Sequence, residues 1–249
     1  MLVFGPIPSR RLGRSLGINN IPPKVCTYSC IYCQVGSTDT MTIDRKDFYS
    51  TDQIYDEVSE KITSIKGSGE KIDYLTFVPD GEPTLDINLG KTIERLMSFG
   101  IKIAVITNAS LIWDKEVQND LRQANWVSVK LDSVYEDIWR KINRPHGSLN
   151  LQKIIRGIEE FAFSFSGELV TETMVVKGVN DSIESLSKTA QKICEINPGK
   201  SYILIPTRPP VEKSVEPPLE EILNRAFQIY SSLLPDVELI VYSEGTDFG

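Results

Sequence analysis

Residues 22–36, PPKVCTYSCIYCQVG, contain three of the four cysteines of the chain. Cys26, Cys30 and Cys33 lie within eight residues, in a C-x3-C-x2-C spacing. Because three cysteines cannot all pair in internal disulfides, this clustering indicates a metal site. Three thiolates are enough for three corners of a [4Fe-4S] cluster, which four cysteines normally hold. One iron would then keep open coordination positions, at which a small molecule could bind and be activated.

The cysteine spacing resembles that of the radical S-adenosylmethionine (SAM) superfamily. In that superfamily the unique iron binds the amino and carboxylate groups of SAM, and an electron from the cluster splits SAM into methionine and a 5'-deoxyadenosyl radical. Residues 4–19, FGPIPSRRLGRSLGIN, together with the cysteine loop, further resemble small Fe-S oxidoreductases related to the wyosine tRNA-synthesis enzymes. The resemblance implies a [4Fe-4S] cluster and SAM as cofactors. A zinc loop, or a cluster used only for electron transfer or stability, is the alternative.

Length and composition favour one globular unit. Of 249 residues, 41% are hydrophobic and 24% charged, so the chain can form a sizeable core and disorder is not expected. We expect a single domain over 1–249, with an N-terminal segment and cluster loop at 1–36, a β/α core at about 51–207 and a C-terminal appendix at about 208–249. No apolar run is long enough to span a membrane, and no signal peptide is recognisable. Clustered cysteines suit a reducing cytoplasm.

Strand and helix patterns alternate along most of the chain. The six predicted strands are SLGIN (15–19), DYLTFV (73–78), IKIAVIT (101–107), WVSVKLD (126–132), ELVTETMVV (168–176) and SYILIP (201–206). Regular β/α alternation predicts a parallel sheet with helices outside. Six repeats are fewer than the eight of a closed barrel. The resemblance implies an α/β fold, a partial (β/α)6 TIM-like barrel of the radical SAM type, whose open side can admit a substrate.

A turn after the second predicted strand resembles the family's G-G-E-P motif, which holds the SAM amino group. It reads Pro79-Asp80-Gly81-Glu82-Pro83, with Asp80 where the first glycine usually stands. A backbone carbonyl and a carboxylate suit an ammonium group, which offers only hydrogen-bond donors. Asp tolerates unusual backbone angles better than most residues, so the bend can survive the exchange. Without the cysteine loop, this sequence would simply be a good turn.

Polar residues at the ends of the next strands are further candidates for SAM binding. The resemblance places Thr107 and Asn108 near the SAM carboxylate or ribose. In the following strand, Ser128, Lys130 and Asp132 alternate with apolar residues, so the polar set shares one face. A polar row facing a barrel interior is costly unless it binds something. We assign the ribose to Asp132 and secondarily to Ser128, and the SAM carboxylate or the substrate to Lys130.

Two more side chains complete the predicted cofactor site. Tyr32, next to Cys33, occupies a position where the family often has an aromatic residue that packs on adenine. Glu172 can face the site beside Met174, but the pattern of its strand leaves the facing open because Thr171 makes the other face polar too.

The candidates for substrate binding lie in loops. Arg10 and Arg11 can bind a carboxylate or phosphate, His146 can act as an acid or base, and Arg144 and Arg208 can extend the basic surface or reach an anionic substrate. For each of these residues, the alternative is that it is an exposed surface residue with no role in substrate binding. The fourth cysteine, Cys194, is predicted as a core thiol on a helix.

The substrate itself remains open between two enzyme classes. One is a small molecule or a protein residue; the other is a tRNA base, by kinship with the wyosine enzymes. The 34 acidic residues outnumber the 27 basic ones, which disfavours a nucleic-acid partner. An electron donor such as a flavodoxin or ferredoxin would be a further partner, and no membrane is expected.

Overall fold

Ten strands and seven α-helices make up the part of the chain that the structure, a computed structural model, describes: residues 1–66, 70–207 and 209–241. The strands are β1 (Val3–Ser9), β2 (Gly13–Ile18), β3 (Val25–Cys26), β4 (Thr40–Met41), β5 (Tyr74–Phe77), β6 (Lys102–Thr107), β7 (Trp126–Lys130), β8 (Glu168–Met174), β9 (Lys200–Leu204) and β10 (Val237–Ile240). The helices are α1 (Thr51–Lys66), α2 (Leu89–Leu96), α3 (Lys115–Leu121), α4 (Glu136–Asn143), α5 (Leu151–Ser164), α6 (Ile183–Ile196) and α7 (Glu220–Leu233).

One sheet of eight strands organises the fold. Its order is β1-β2-β5-β6-β7-β8-β9-β10, and every neighbouring pair is parallel except β1 and β2, which run antiparallel. β3 and β4 form a separate parallel pair. The six predicted strands correspond to β2 and to β5 through β9, which confirms the predicted partial β/α barrel.

The two edges of the sheet differ from the sequence-based expectation. β10 lies in the region predicted as an appendix, yet it pairs in parallel with β9 and adds a seventh parallel strand. The strand pattern also does not predict β1, because Pro6 and Pro8 interrupt it. Both prolines are tolerated there because β1 is an edge strand, where one side of the backbone needs no partner.

Alternate residues of the central strands face opposite sides of the sheet. On β7, Val127 and Val129 join the core beneath the helices, while Trp126 joins a second cluster on the inner face. Each large apolar side chain that is fully buried in these clusters stabilises the fold by roughly 1.5–3 kcal/mol. The inner cluster combines Leu12 of the first hairpin with Ile240 of the last strand. The sheet is therefore curled, and its two edges approach each other across the interior.

The helix boundaries follow capping signals in the sequence. At the start of α1, the Ser50 hydroxyl accepts from the Gln53 N–H at 3.2 Å, and the Gln53 side chain accepts from the Ser50 N–H at 3.1 Å. This reciprocal pair is a capping box, which satisfies two N–H groups at the start of the helix. At the N-terminus of α5 the Asn150 side chain accepts a hydrogen bond from a backbone N–H of the first turn, and Ser182 does the same at the N-terminus of α6. Within the described ranges, no helix is long and apolar enough to cross a membrane.

The prediction that Cys194 is a core thiol is wrong. Cys194 lies on α6 but is exposed. The buried stripe of α6 runs through Leu186, Ala190 and Ile193. At about 100° per residue, position 194 falls just beyond the edge of that stripe and points to solvent.

Candidate functional site

The cysteine loop lies against the turn that follows β5. The Lys24 N–H donates to the carbonyl of Asp80 at 2.6 Å, and the Glu82 N–H donates to the carbonyl of Val25 at 3.2 Å. Between these contacts, a Cβ at Gly81 would lie 2.1 Å from the Val25 carbonyl oxygen. The loop and the P-D-G-E-P turn therefore dock backbone to backbone, and position 81 requires glycine.

The opposite side of the cysteine loop is held by the end of α4 and the turn after it. The Ser29 N–H donates to the carbonyl of Asn143 at 3.1 Å. The N–H of His146 donates to the carbonyl of Thr27 at 2.9 Å. The cysteine loop thus lies between the ends of two β/α units, at the carboxyl edge of the parallel sheet.

The loop that follows β9 covers the cysteine loop. The Val211 N–H donates to the carbonyl of Cys33 at 3.0 Å, and the Glu212 N–H donates to the carbonyl of Ile31 at 3.2 Å. Val215 is buried in the same apolar cluster as Ile31. The backbone of the cysteine loop is therefore fixed by contacts on three sides.

The three thiols of the loop are partly buried and lie close enough to influence one another. Burial, with a contribution from Glu82, raises the pKa of Cys26 to about 12, and burial raises the pKa of Cys30 to about 11. A metal cluster bound through thiolates would supply the positive charge that ionised thiols need here. The chemistry of this donor set fits a polynuclear iron-sulfur cluster.

Two asparagine amides point at the cysteine sulfurs. The Asn108 side chain lies 3.6 Å from the Cys26 Sγ and donates to the Thr27 hydroxyl at 2.8 Å. The Asn143 side chain lies 3.5 Å from the Cys30 Sγ. Hydrogen bonds to cluster sulfurs tune the reduction potential of iron-sulfur proteins. Asn108 was a candidate from the sequence, whereas Asn143 was missed because no local pattern marks it.

Glu82 is fully buried beside the cysteine loop. Its Oε1 accepts from the Thr107 hydroxyl at 2.6 Å and from the backbone and hydroxyl of Thr84 at 3.1 and 2.6 Å, while its Oε2 accepts from the Asn108 N–H at 2.8 Å. Burial raises the pKa of Glu82, and these hydrogen bonds oppose the rise. Oε2 keeps acceptor capacity for one more donor. Asp80, in contrast, is exposed, and its carbonyl is used by the cysteine loop.

Asp132 binds the cysteine loop to the end of β7. Its carboxylate accepts from the Tyr32 hydroxyl, from the Asn143 amide at 2.7 Å and from the Met174 N–H at 2.8 Å. Burial and the Asp132 charge raise the pKa of Tyr32. The observed contacts of Asp132 and Tyr32 are therefore with each other and with the scaffold. Their contacts with ribose and adenine remain predictions.

The predicted polar row of β7 faces the interior, and β8 brings a carboxylate to meet it. Lys130 and Glu172 are paired in register, and the Lys130 Nζ lies 3.7 Å from the Glu172 Oε2. The Arg11 guanidinium also forms an ion pair with Glu172. Burial acts to raise the pKa of Glu172, but the charges of Arg11 and Lys130 outweigh it and hold that pKa below its usual value. The structure thereby fixes the facing of β8, with Glu172 and Met174 inward.

A cavity of about 340 Å³ lies beside this row, inside the curled sheet. Residues of both edge strands, Phe4 of β1 and Ile240 of β10, line it together with Ile106 of β6. Its walls reach from Gln34, which follows the last cysteine of the loop, to Arg11 in the first hairpin. The cavity therefore connects the cysteine loop with the depth of the barrel.

The structure places the other candidates for substrate binding in different environments. Arg10 is exposed, while the neighbouring Arg11 enters the interior. Arg144 forms an exposed ion pair with Glu212 at 2.6 Å. The His146 ring accepts from the Ser148 N–H at 3.3 Å, so its imidazole closes a turn beside the cysteine loop. Arg208 lies outside the described residues.

Comparisons with known proteins agree with this arrangement. The sequence matches the profile of the Radical SAM superfamily over residues 20–190. A UPF0026 protein of Methanocaldococcus jannaschii is 50% identical over 249 residues, which cover 99% of this chain and 77% of the relative.

Solved structures of other proteins share the fold. A radical SAM methyltransferase from Sphaerobacter thermophilus superposes with a TM-score of 0.70 at 16% identity, covering 94% of this chain and 68% of that one. TYW1 with a lysine-pyruvate adduct bound superposes with a TM-score of 0.62 at 16% identity, covering 89% of this chain and 74% of that one. Because the family profile matches residues 20–190, more than half of the chain, the chain belongs to the radical SAM superfamily, whose enzymes use a [4Fe-4S] cluster and SAM.

Proposed function

We propose that this chain is a radical enzyme that cleaves SAM reductively and removes a hydrogen atom from a small molecule or a protein residue held inside the barrel. One observation carries the proposal. The cysteine loop is docked between the P-D-G-E-P turn and the end of α4, at the carboxyl edge of the sheet and at one end of an interior cavity. In β/α barrels this edge is where reactive groups from several strands meet.

Cys26, Cys30 and Cys33 would hold three irons of the [4Fe-4S] cluster. A bound cluster would supply the electron for the reductive cleavage of SAM. Asn108 and Asn143 donate towards two of the cysteine sulfurs and so stabilise negative charge on them. The protein's part is to orient these groups and to keep water away from them.

The residues proposed for SAM surround the cysteine loop. Glu82 would accept from the SAM ammonium through the remaining capacity of its Oε2, because the rest of the carboxylate is already bonded. Lys130 and Glu172 form an interior ion pair that can balance the charges of the methionine end. The further proposed contacts come from Tyr32, Asp80, Gly81, Pro83, Thr107, Asn108, Ser128 and Asp132.

Modification of a tRNA base is the second candidate function. It rests on the resemblance to wyosine-synthesis enzymes and on the structural likeness to TYW1. Against it, Arg14 pairs with Glu70 at 3.0 Å and Arg144 with Glu212 at 2.6 Å, so these arginines are already neutralised by acids. A phosphate-binding surface needs several cations free to release counterions. We therefore favour a small molecule or a protein residue.

The proposal is tested by anaerobic reconstitution with iron and sulfide, followed by reduction and addition of SAM. Dithionite serves as reductant, and a flavodoxin or ferredoxin replaces it to identify an electron donor. We expect 5'-deoxyadenosine and methionine to form with the wild-type protein and with Cys194→Ala, which changes the exposed cysteine. Cys30→Ala should form neither. A reconstituted wild-type protein that forms neither product would favour a non-catalytic iron-sulfur or zinc protein.

A further inference from the structure

The interior cavity reaches from the cysteine loop to the buried inner cluster. Gln34, which directly follows Cys33, lines the cavity and is exposed. Leu12 and Ile240 also line it and belong to the inner cluster, where both are buried. The volume of about 340 Å³ is at the lower end of the range for small-ligand sites. A ligand would therefore enter beside the cysteine loop and extend into the barrel.

The walls of the cavity are mostly apolar. Phe4, Ile106 and Leu204 line it from three different strands. A Cβ at Gly17 would lie 2.2 Å from a ring carbon of Phe4, so this ring lies directly on the backbone of β2. Of the described residues that line the cavity, none belongs to the set proposed for SAM above. The cavity therefore offers apolar contacts to a second molecule.

A pair of hydroxyl groups gives this apolar cavity one polar point. Ser15 of β2 and Thr76 of β5 line it, are buried, and have hydroxyl oxygens 2.6 Å apart. When two hydroxyls bond each other, the accepting one keeps its own O–H and the donating one keeps lone pairs. Within residues 1–66, 70–207 and 209–241, neither side chain has another hydrogen-bond partner. The pair therefore offers a ligand one donor and one acceptor.

The charges beside the cavity are already matched. The Arg11 guanidinium lines the cavity and is ion-paired with Glu172. Lys130 lies 3.7 Å from the same carboxylate, and the charge of Asp132 also favours its ammonium form. Because two carboxylates accompany these two cations, a further charge brought by a ligand would be buried without a partner, which is costly. The cavity therefore favours an uncharged ligand.

We propose, on the basis of the proposed function, that the substrate enters the barrel with an uncharged apolar group bearing one hydroxyl, and that Ser15 and Thr76 bind this hydroxyl. The ligand hydroxyl accepts from one side chain of the pair and donates to the other, which closes a ring of three hydrogen bonds. The apolar group lies along Phe4, Ile106 and Leu204, and burial of its surface stabilises the complex.

Anaerobic isothermal titration calorimetry on the reconstituted protein tests the charge of the ligand. The probes are octan-1-ol, octanoate and octylammonium, which share one chain length. We expect octan-1-ol to bind about tenfold or more tightly than either charged probe, because an unpartnered charge is disfavoured inside the barrel. Equal or tighter binding of octanoate or octylammonium would overturn the assignment to an uncharged group.

Variants of the hydroxyl pair test the binding of the ligand hydroxyl. Ser15→Ala combined with Thr76→Val removes both hydroxyls with little change in volume. It should weaken octan-1-ol binding about tenfold, because two neutral hydrogen bonds are lost. The matched control combines Thr171→Val with Ser201→Ala, which removes another buried pair of hydroxyls, 2.9 Å apart on the outer face of the sheet. This control should keep the wild-type affinity.

The outcomes separate this inference from the proposed function. The titrations need no SAM cleavage, so a protein that forms no 5'-deoxyadenosine can still bind octan-1-ol, and an active protein can fail to bind it. Absent binding by the wild type, unchanged affinity in the Ser15 and Thr76 double variant, or an equal loss in the control would overturn the inference. If that double variant does not fold, Thr76→Val alone replaces it, because it also opens the ring of hydrogen bonds, and unchanged affinity there would have the same consequence.

Discussion

The side-chain amide of Asn143 lies 3.5 Å from the Sγ of Cys30 and donates to the Asp132 carboxylate at 2.7 Å. One amide therefore connects a cysteine of the loop to the strand end that supports it. Asn108 makes the corresponding contact with the Cys26 Sγ at 3.6 Å. Because these donors come from two different β/α units, they place partial positive charge on two sides of the thiol group.

The first prediction concerns the reduction potential of the cluster. Asn143→Ala and Asn108→Ala should each lower it by an amount on the order of tens of millivolts, because N–H···S bonds stabilise the more negative, reduced state. The measurement is an anaerobic redox titration followed by electron paramagnetic resonance. Asn119→Ala, at an exposed position, is the control and should leave the potential unchanged. Unaltered potentials in both site variants would show that these amides serve only to pack the loop.

Sequence reasoning succeeded where the signal was local. The C-x3-C-x2-C spacing and the P-D-G-E-P turn are short segments, and the structure docks them against each other. The facing of β7 was also predictable, because period-two alternation of Ser128 and Lys130 with valines distinguishes the two faces.

The facing of β8 was not predictable, because both of its faces carry polar residues. The structure resolves this through tertiary contacts of the outward-facing hydroxyls. Thr171 bonds Ser201 at 2.9 Å, and Thr173 donates to the carbonyl of Leu131 at 2.9 Å. Asn143 was missed for a similar reason, since its partner Cys30 is 113 residues away. Contacts of this kind leave no trace in the local pattern.

The second prediction concerns the docking of the cysteine loop. Gly81→Ala should destabilise the protein by about 2 to 4 kcal/mol, because a Cβ would lie 2.1 Å from the Val25 carbonyl oxygen and the backbone must move. The same shift should reduce the iron content after reconstitution. Gly147→Ala is the matched control, since a Cβ there meets nothing within 4 Å. Urea unfolding and iron analysis measure both effects, and a Gly81→Ala protein as stable as the control would contradict the backbone docking.

The third prediction tests whether Glu82 binds SAM or only holds the cysteine loop in place. Glu82→Gln should keep the cluster but weaken SAM binding by about 1 to 3 kcal/mol, because the SAM ammonium loses a charge-assisted hydrogen bond. Asp132→Asn should weaken SAM binding by a similar amount if the ribose contact forms. Anaerobic calorimetry on the reconstituted variants measures the affinity. Unchanged SAM affinity in both variants would restrict these residues to holding the cysteine loop.

The fourth prediction is a pH dependence that originates at Asp86, which follows the P-D-G-E-P turn. Burial raises the pKa of Asp86 to about 6, so the folded state retains a proton that the unfolded chain has already released. The stabilisation is complete below the unfolded pKa of about 4 and is lost as the pH rises through 6. Between about pH 5.5 and 7.5 the wild type should lose about 1 kcal/mol more unfolding free energy than Asp86→Asn. Urea unfolding at several pH values measures this, and parallel profiles would refute it.

The fifth prediction is that unmodified tRNA binds weakly and with a shallow salt dependence. The basic groups nearest the cysteine loop are already paired, Arg144 with Glu212 at 2.6 Å and Lys24 with Asp39 at 3.8 Å. Each phosphate neutralised by a free cation would add about one to the slope of log affinity against log salt. Filter binding at two salt concentrations measures that slope. Glu212→Gln releases Arg144 from its ion pair, so a tRNA that uses this face should bind this variant more tightly. Tight, steeply salt-dependent binding by the wild type, lost in Arg144→Ala, would instead favour modification of a tRNA base.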